Sequence, residues 1–383
     1  MTLTVRAFVD DDREALLALL REAGVAGRSS VEQWGRDGWR CWLAEEQGLV
    51  GVLLCQGGAL ELLWGAHEEA RSLLLERAKR GLVELLYVGG DSSMAHWLGE
   101  RGFEQQAGRL RWQRWVLSEA QAERYEADGY LVVPGLFTSA EAEHVLAITR
   151  QDRSLGQHAF CRSDGEGGAV ELALWNHPGD GALGRVACSE RVVDRVEQLL
   201  GGEAYHYHSK LIQKNAGSGG AWAWHQDFGY WYENGLLFPD LCSVFLALEP
   251  ATRENGCLQV IRGSQRIGRI EHQLTGDQAG ANLEQVQAAR QRLETVHVEL
   301  EPGDALFFHP NLLHRSDRNR SDHSRWALIC CYNAATNNPI RESHHPSYTP
   351  LHKVADGALL ESLDAGAEDF LDPNNDKSAS KEP

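Results

Sequence analysis

Apolar and polar positions follow two different rhythms along this chain. From Tyr205 onward, short apolar runs recur between turn-forming clusters, at Tyr205 to Gln213, Leu241 to Glu249, Cys257 to Ile261, Thr295 to Leu300, Ala305 to Phe308 and Trp326 to Asn333. Runs of this kind, bounded by Gly, Pro, Asn and Asp, read as strands, and a series of them predicts an all-β jelly roll. A helical period interrupts the series at Asn282 to Leu293. Helix signals also precede it. Thr138 and Glu141 form a capping-box pattern for a helix reaching Thr149, and Ser189 to Leu200 closes on Gly201-Gly202. Phe160 to Gly184 is glycine-rich and reads as irregular. Residues 1–116 mix strand and helix patterns: Leu3 to Phe8 extended, Asp12 to Ala23 amphipathic, apolar runs at Cys41 to Ala44 and Leu49 to Cys55, then a helix at Glu68 to Arg80, a strand at Leu82 to Val88 and a helix at Ser93 to Arg101. That order predicts a small α/β domain. The chain thus divides into an α/β domain at 1–116, a jelly roll with flanking helices at 117–362, and a polar tail at 363–383 expected to be disordered.

Composition narrows the partners. At 383 residues and 43% apolar content the chain can fill two hydrophobic cores. A net charge of −18 argues against nucleic acid or an anionic membrane surface as a main partner and says little else. The eight cysteines show no CxxC pairing and several lie in apolar runs such as Leu241-Cys242-Ser243-Val244-Phe245, as reduced core thiols do. With no basic-then-apolar leader and no membrane-length apolar stretch, the expected location is the cytoplasm.

The chemistry concentrates at Trp222-Ala223-Trp224-His225-Gln226-Asp227-Phe228-Gly229-Tyr230-Trp231. As a strand, this stretch would turn His225 and Asp227 to one face, where they can share an ion, and Trp231 would follow them while Phe228 and Tyr230 face away. A second imidazole is available at His314, expected in a loop beyond the Pro302-Gly303-Asp304 turn and the strand Ala305 to Phe308. Two imidazoles and a carboxylate suit Fe(II) and leave coordination positions open. Arg325 enters the apolar strand Trp326 to Tyr332, where a guanidinium needs an anion. No protein partner is evident, so a dicarboxylate cosubstrate is a candidate. Lys210 and Lys214 share a face, and one of them is expected to stay solvated. The aromatic cluster Trp222, Trp224, Phe228, Tyr230, Trp231 and Tyr232 either stacks on a cationic amine or packs the mouth of the barrel.

Together, His225-x-Asp227, His314-x-Ser316 and Arg325 resemble the Fe(II)/2-oxoglutarate dioxygenases of the phytanoyl-CoA dioxygenase superfamily, over Glu119 to Asn338. The run His225-Gln226-Asp227-Phe228-x-x-Trp231 is also similar to that of bacterial ectoine hydroxylases in the same superfamily. The resemblance implies a jelly roll that uses Fe(II), 2-oxoglutarate and O₂. It implies iron on His225, Asp227 and His314, with His309 left structural, and the distal carboxylate of 2-oxoglutarate on Arg325 and Ser316. Lys210, Lys214 and Gln213 fall where relatives contact cosubstrate or substrate; Gln213, Trp231 and Phe228 are the candidate substrate contacts here. Halogenases of the superfamily replace the carboxylate ligand by a small residue, so Asp227 implies hydroxylation. Asn255 to Gln265 is similar to a family turn, with Arg262 and Gln265 in place of the usual Pro and His.

Residues 1–116 resemble a GNAT-type N-acetyltransferase domain. The stretch Trp64-Gly65-Ala66-His67-Glu68-Glu69-Ala70-Arg71 lacks the glycine-rich pyrophosphate loop and carries two glutamates, which implies a degenerate domain with a structural or partner-binding role. The expected function is hydroxylation of a small polar metabolite, such as an amine or amino-acid-like compound. A bifunctional acyltransferase-oxygenase and a non-enzymatic jelly-roll binding protein are the competing readings.

Overall fold

The computed structural model describes residues 4–9, 12–22, 39–46, 49–56, 59–81, 84–87, 92–99, 103–106, 109–113, 117–275 and 278–371. The chain separates into two compact units, Met1–Val116 and Leu117–Pro383.

In the first unit seven strands form one sheet: β1 (Thr4–Ala7), β2 (Trp39–Glu45), β3 (Leu49–Gln56), β4 (Ala59–Gly65), β5 (Glu84–Tyr87), β6 (Glu104–Gln106) and β7 (Arg109–Gln113), in the order β1-β2-β3-β4-β5-β7-β6. Side-chain alternation sorts its two faces. Leu43, Val52 and Leu54 pack with Leu16 and Leu20 of the helix Arg13–Glu22. Trp42, Ala44, Leu53 and Cys55 pack with Leu74, Leu75 and Ala78 of the helix Glu68–Gly81. Of the strand expected at Leu82 to Val88, Leu82, Val83 and Val88 lie outside the described residues, as does Arg101 at the end of the expected helix.

The second unit carries β8 (Tyr130–Val133), β9 (Phe160–Ser163), β10 (Ala169–His177), β11 (Ala204–Lys214), β12 (Trp222–His225), β13 (Leu241–Ala247), β14 (Leu258–Ile261), β15 (His272–Thr275), β16 (Gln278–Ala281), β17 (Thr295–Val298), β18 (Ala305–Phe308), β19 (His314–Ser316), β20 (Arg325–Ala334) and β21 (Glu368–Phe370). A large sheet runs β21-β10-β11-β20-β13-β18-β8 with β9 beside β10, and a smaller sheet runs β12-β19-β14-β17. The two sheets face each other as a jelly roll. Alternation again assigns the core. Phe245, Leu306, Phe308, Ala327 and Ile329 point inward to meet Leu258, Val260 and Val298 of the smaller sheet. Val244, Leu246, Phe307, Leu328 and Cys330 point outward and are covered by Val145 of the helix Ser139–Gln151, Val186 of Ala182–Cys188 and Val193 and Val196 of Glu190–Leu200. The Thr138–Glu141 capping box is present, with Thr138 N donating to Glu141 Oε2 at 2.7 Å and Glu141 N to Thr138 Oγ1 at 3.2 Å. No helix among the described residues is long and apolar enough to cross a membrane.

Two expectations about irregular segments are corrected. Phe160 to Gly184 is largely ordered as β9 and β10 and the start of a helix, because its inward residues Leu172 and Leu174 reach the cavity between the sheets while Ala173 and Trp175 join the outer core. The tail does not begin at 363. Ala365 is fully buried, β21 pairs with β10 through Trp175↔Phe370, and Leu371 N donates to Leu174 O at 2.8 Å. Residues 372–383 lie outside the described residues.

Candidate active site

Antiparallel pairing of β12 with β19 sets His225 opposite His314, with ring centroids 4.0 Å apart. The local structure departs from the expected strand and loop. β12 stops at His225, Gln226 stays extended at φ −119° and ψ 132°, and Asp227 opens the helix Asp227–Glu233, while His314 begins β19. A carboxylate in a first helical turn is favoured by the helix dipole. Gln226 fixes the crossover: its Nε2 donates to Gly268 O and Asn311 O, and its Oε1 accepts from Ile270 N.

The three side chains still converge, each offering a ligand atom within 4.8 Å of the others. Asp227 Oδ1 lies 3.8 Å from His225 Nε2 and 3.9 Å from His314 Nε2. His225 Nδ1 is 2.9 Å from Ala223 O and His314 Nδ1 is 3.0 Å from Leu312 O. A carbonyl only accepts, so each Nδ1 carries the proton and each Nε2 presents a lone pair to the centre. The other carboxylate oxygen, Asp227 Oδ2, accepts from Ser243 Oγ at 2.8 Å. Burial, and then the facing imidazole, holds His225 well below its usual 6.5; burial lowers His314 as well, against the opposing pull of Asp227. Burial by itself would raise Asp227, but Lys210 and the two imidazoles outweigh it and keep the carboxylate ionised. Two neutral nitrogen donors and one carboxylate, open on one side, fit a non-haem Fe(II) ion. His309, the competing histidine, instead takes a hydrogen bond from Asn311 N at its Nδ1.

A cavity opens on one side of this trio, walled by Lys210, Lys214, Ser316 and Arg325 together with apolar Leu172, Phe245, Phe308 and Ile329. Lys214 on β11 and Arg325 on β20 are cross-strand partners and both are buried. Lys214 Nζ donates to the backbone oxygen of Asp317, and Arg325 Nη1 to Gly256 O at 2.6 Å, while Arg325 Nε has no hydrogen-bond partner. Neither cation has a carboxylate within ion-pair distance among the described residues. Burial and the neighbouring Arg325 push Lys214 well below its ordinary value, and burial lowers Arg325 to about 10. Lys210 and Lys214 both face the cavity, because strand alternation gives them one side; Lys214 is fully buried while the Lys210 side chain keeps 17% exposure.

On the other side of the trio lies a second cavity, lined by Arg162, His208, Lys210, Trp231 and His345 among others, and Asp227 faces it. Trp231 reaches it by helical spacing from Asp227. The strand parity that was expected to send Tyr230 away fails for the same reason, and Tyr230 lines both cavities. Phe228, a candidate substrate contact, is instead packed in the core between the sheets, edge-on to Tyr232. Gln213 sits on the opposite side of β11 from Lys210 and Lys214 and bonds to Asn215. Trp224 and Tyr232 have their cation partners within the protein, since Arg290 and Arg315 lie over Trp224 and Arg269 lies 4.2 Å over Tyr232. Sequence reasoning missed Ser243, Arg162, His208 and His345. Ser243 was within reach, as the hydroxyl on the inward parity of an apolar strand.

Fold and site together define a jelly-roll protein with a buried His-Asp-His centre beside a cavity lined by cationic and apolar side chains, the class that joins non-haem iron to an anionic cosubstrate. The phytanoyl-CoA dioxygenase family model matches residues 125–327, and the chain belongs to that family. It is a 2-oxoglutarate-dependent dioxygenase. The L-proline trans-4-hydroxylase of Streptomyces griseoviridis is 31% identical over 262 residues, covering 63% of this chain and 94% of the relative. The ectoine dioxygenase of Halomonas elongata is 27% identical over 240 residues, covering 58% of this chain and 72% of the relative. Among solved structures, EctD from S. alaskensis in its apo form has a TM-score of 0.53 at 23% identity, covering 62% of this chain and 88% of that one, a likeness of fold.

Proposed function

We propose that this chain hydroxylates a small, amino-acid-like metabolite, consuming 2-oxoglutarate and O₂ and releasing succinate, CO₂ and the alcohol. The observation that carries this reading is the buried pair Lys214 and Arg325, two cations without a carboxylate beside the His-Asp-His centre. A buried, unbalanced double charge is costly unless a dianion fills the cavity, and a planar guanidinium with a free edge suits a carboxylate. In this reading Arg325, Lys214 and Ser316 hold the distal carboxylate of 2-oxoglutarate, and Leu172, Phe245, Phe308 and Ile329 exclude water around its chain. His225, Asp227 and His314 hold iron, which supplies the O₂ chemistry when bound. Ser243 and Lys210 orient Asp227. Relatives that act on proline and ectoine, both small and polar, support the substrate class.

The first unit has, in this reading, no acyl-transfer role. At the start of the helix Glu68–Gly81, His67 Nδ1 accepts from Ala70 N at 3.3 Å, and Glu68 and Glu69 occupy the first turn. The helix end that would bind a pyrophosphate thus carries its own cap and two negative charges. Calorimetric titration with acetyl-CoA is expected to show no binding; binding would revive the bifunctional reading.

The oxygenase reading is tested by anaerobic titration of the metal-free protein with Fe(II) and then 2-oxoglutarate, following the visible charge-transfer band. A band in the wild type that disappears in His225→Ala supports it. A folded wild-type protein without a band overturns it and favours the non-enzymatic binding protein.

A further inference from the structure

The second cavity holds a histidine that the chemistry above does not use. His208 is 3% exposed, and neither of its ring nitrogens has a hydrogen-bond partner. Other buried histidines nearby are engaged: His206 contacts Asn176 O and Ser209 Oγ, His345 Nδ1 contacts Asn176 Oδ1, and His272 Nε2 accepts from Gln226 N. A buried polar ring left without partners is costly, and the cost is recovered if a ligand supplies them.

His208 is also held rigidly. The β11–β20 register slips between His206 and His208, so Tyr207 enters as an extra residue and both Tyr207 and His208 turn toward the interior. The His208 ring stacks on His345, with centroids 4.7 Å apart and planes 24° apart, and meets Trp231 edge-on at 5.6 Å. Packing fixes the ring in the wall of the cavity while both of its nitrogens stay without a partner.

The charges around it are one-sided. Among the described residues that line this cavity the one carboxylate is Asp227, which already faces His225, His314, Ser243 and Lys210. Arg162 and Lys210 line the same cavity. Among the described lining residues an ammonium would meet only a carboxylate that already faces two imidazoles and a lysine, whereas a carboxylate would meet basic side chains and a ring N–H.

We propose that His208 is a substrate-contacting, specificity-determining residue, and that together with Arg162 it selects a substrate bearing a carboxylate over its amide or simple amine. The proposal rests on the oxygenase reading and names the substrate class of that site. The neutral ring donates one N–H to a carboxylate oxygen, and its other nitrogen can accept from a protonated amine on the same substrate, as an amino or imino acid offers.

The test uses the full chain with Fe(II) and 2-oxoglutarate under anaerobic conditions. Probes are L-proline and L-pipecolic acid, each against its own amide, with pyrrolidine as the bare amine. Perturbation of the charge-transfer band and binding heat are read in parallel, and the heat is also measured without metal. An acid that binds about tenfold or more tighter than its amide is expected. His208→Phe keeps the ring stack and deletes both nitrogens. It should weaken the acid by about tenfold or more and the amide by distinctly less, since the amide's hydrogen bond lacks the carboxylate charge, with His208→Gln recovering part of the loss. Melting curves check that the variants fold. The proposal is overturned if amides or pyrrolidine bind as well as the acids, if neither acid binds, or if His208→Phe keeps wild-type affinity for the acid. Failure of the oxygenase reading is a separate result, namely no band in the wild type before any probe is added, and the metal-free heats then still decide between acid and amide.

Discussion

Lys214 and His208 stand on the same strand and face the interior from opposite sides of the His-Asp-His centre, yet they meet burial in opposite ways. At the Lys214 end two basic groups sit cross-strand in an apolar cavity without a carboxylate, where the lysine is pushed well below its ordinary value and an anion would restore its charge. At the His208 end the buried group gives up its charge instead: burial holds His208 well below 6.5, and His345 and Lys210 reinforce it. The first arrangement demands one particular ligand charge, and the second offers hydrogen bonds to a ligand whose charge the rest of the wall selects. One end is built for an obligatory cosubstrate and the other for discrimination among substrates.

The largest effect should come from removing the centre that both ends share. Asp227→Ala and His314→Ala are expected to abolish the Fe(II)/2-oxoglutarate band and succinate formation together. Ser243→Ala, which removes only the hydrogen bond to Asp227 Oδ2, should weaken Fe(II) binding by roughly 10- to 100-fold, measured by competition with a chelator.

Next comes a change that separates the ends. Lys214→Met should raise the KM for 2-oxoglutarate by roughly tenfold or more, because a charged hydrogen-bonding partner of the dianion is lost. The same change should raise the melting temperature of the ligand-free protein, because a desolvated cation is replaced by an apolar chain of similar length. A neutral or destabilising result would mean that the lysine is already balanced within the protein. Gly256→Ala should act on the same end. Gly256 O holds Arg325, its φ is +81°, and an added Cβ would run into Asp317 O, which also accepts from Lys214. Loss of 2-oxoglutarate affinity without loss of Fe(II) affinity is the expected outcome.

How far the sequence foretold these ends follows from the kind of interaction each uses. Strand alternation and turn residues made the jelly roll readable, and a capping box as local as Thr138 and Glu141 was readable in full. Arg325 was legible because a guanidinium at the start of an apolar strand raises an electrostatic question by itself. The failures are non-local. Nothing in Trp222 to Trp231 says that the chain turns from strand to helix at Asp227, because that break is fixed by Gln226 bonding to Gly268, Ile270 and Asn311. Tyr230 fell on the wrong face for want of that tertiary context, whereas Gln213 and Phe228 stood as candidate contacts against the strand parity itself. His208 escaped notice because its isolation is visible only when every neighbouring histidine is seen with its partner.

Titration supplies a further contrast. Lys214 is lowered below 10.5 on folding, so the native state binds fewer protons there than the unfolded chain, and stability is lost as pH falls below 10.5 toward the native value. Lys214 by itself should therefore contribute a gain in stability as pH rises toward 10.5, set against the loss from the buried cysteines, whose titration burial raises; Lys214→Met should remove that gain, so the variant should lose stability with rising pH more steeply than the wild type. Saturating 2-oxoglutarate should remove the gain too, since a bound dianion favours the charged lysine.

The smallest effect is expected at the other end, on the acid side. His208 is neutral in the native state, with its titration lowered from 6.5, while the unfolded chain takes up a proton there as pH falls through 6.5. Its contribution is therefore present above 6.5 and is lost progressively below it, by at most about 1.4 kcal/mol per pH unit. Denaturant melts of wild type and His208→Phe between pH 7.5 and 5 should diverge only below 6.5, with the variant showing the shallower loss. His345, His225 and His314 titrate downward as well, so the variant's slope is reduced rather than removed. Parallel slopes would mean that His208 takes up its proton in the folded protein as readily as in the unfolded chain, so that below 6.5 the cavity would offer a carboxylate a positive charge in place of a neutral N–H.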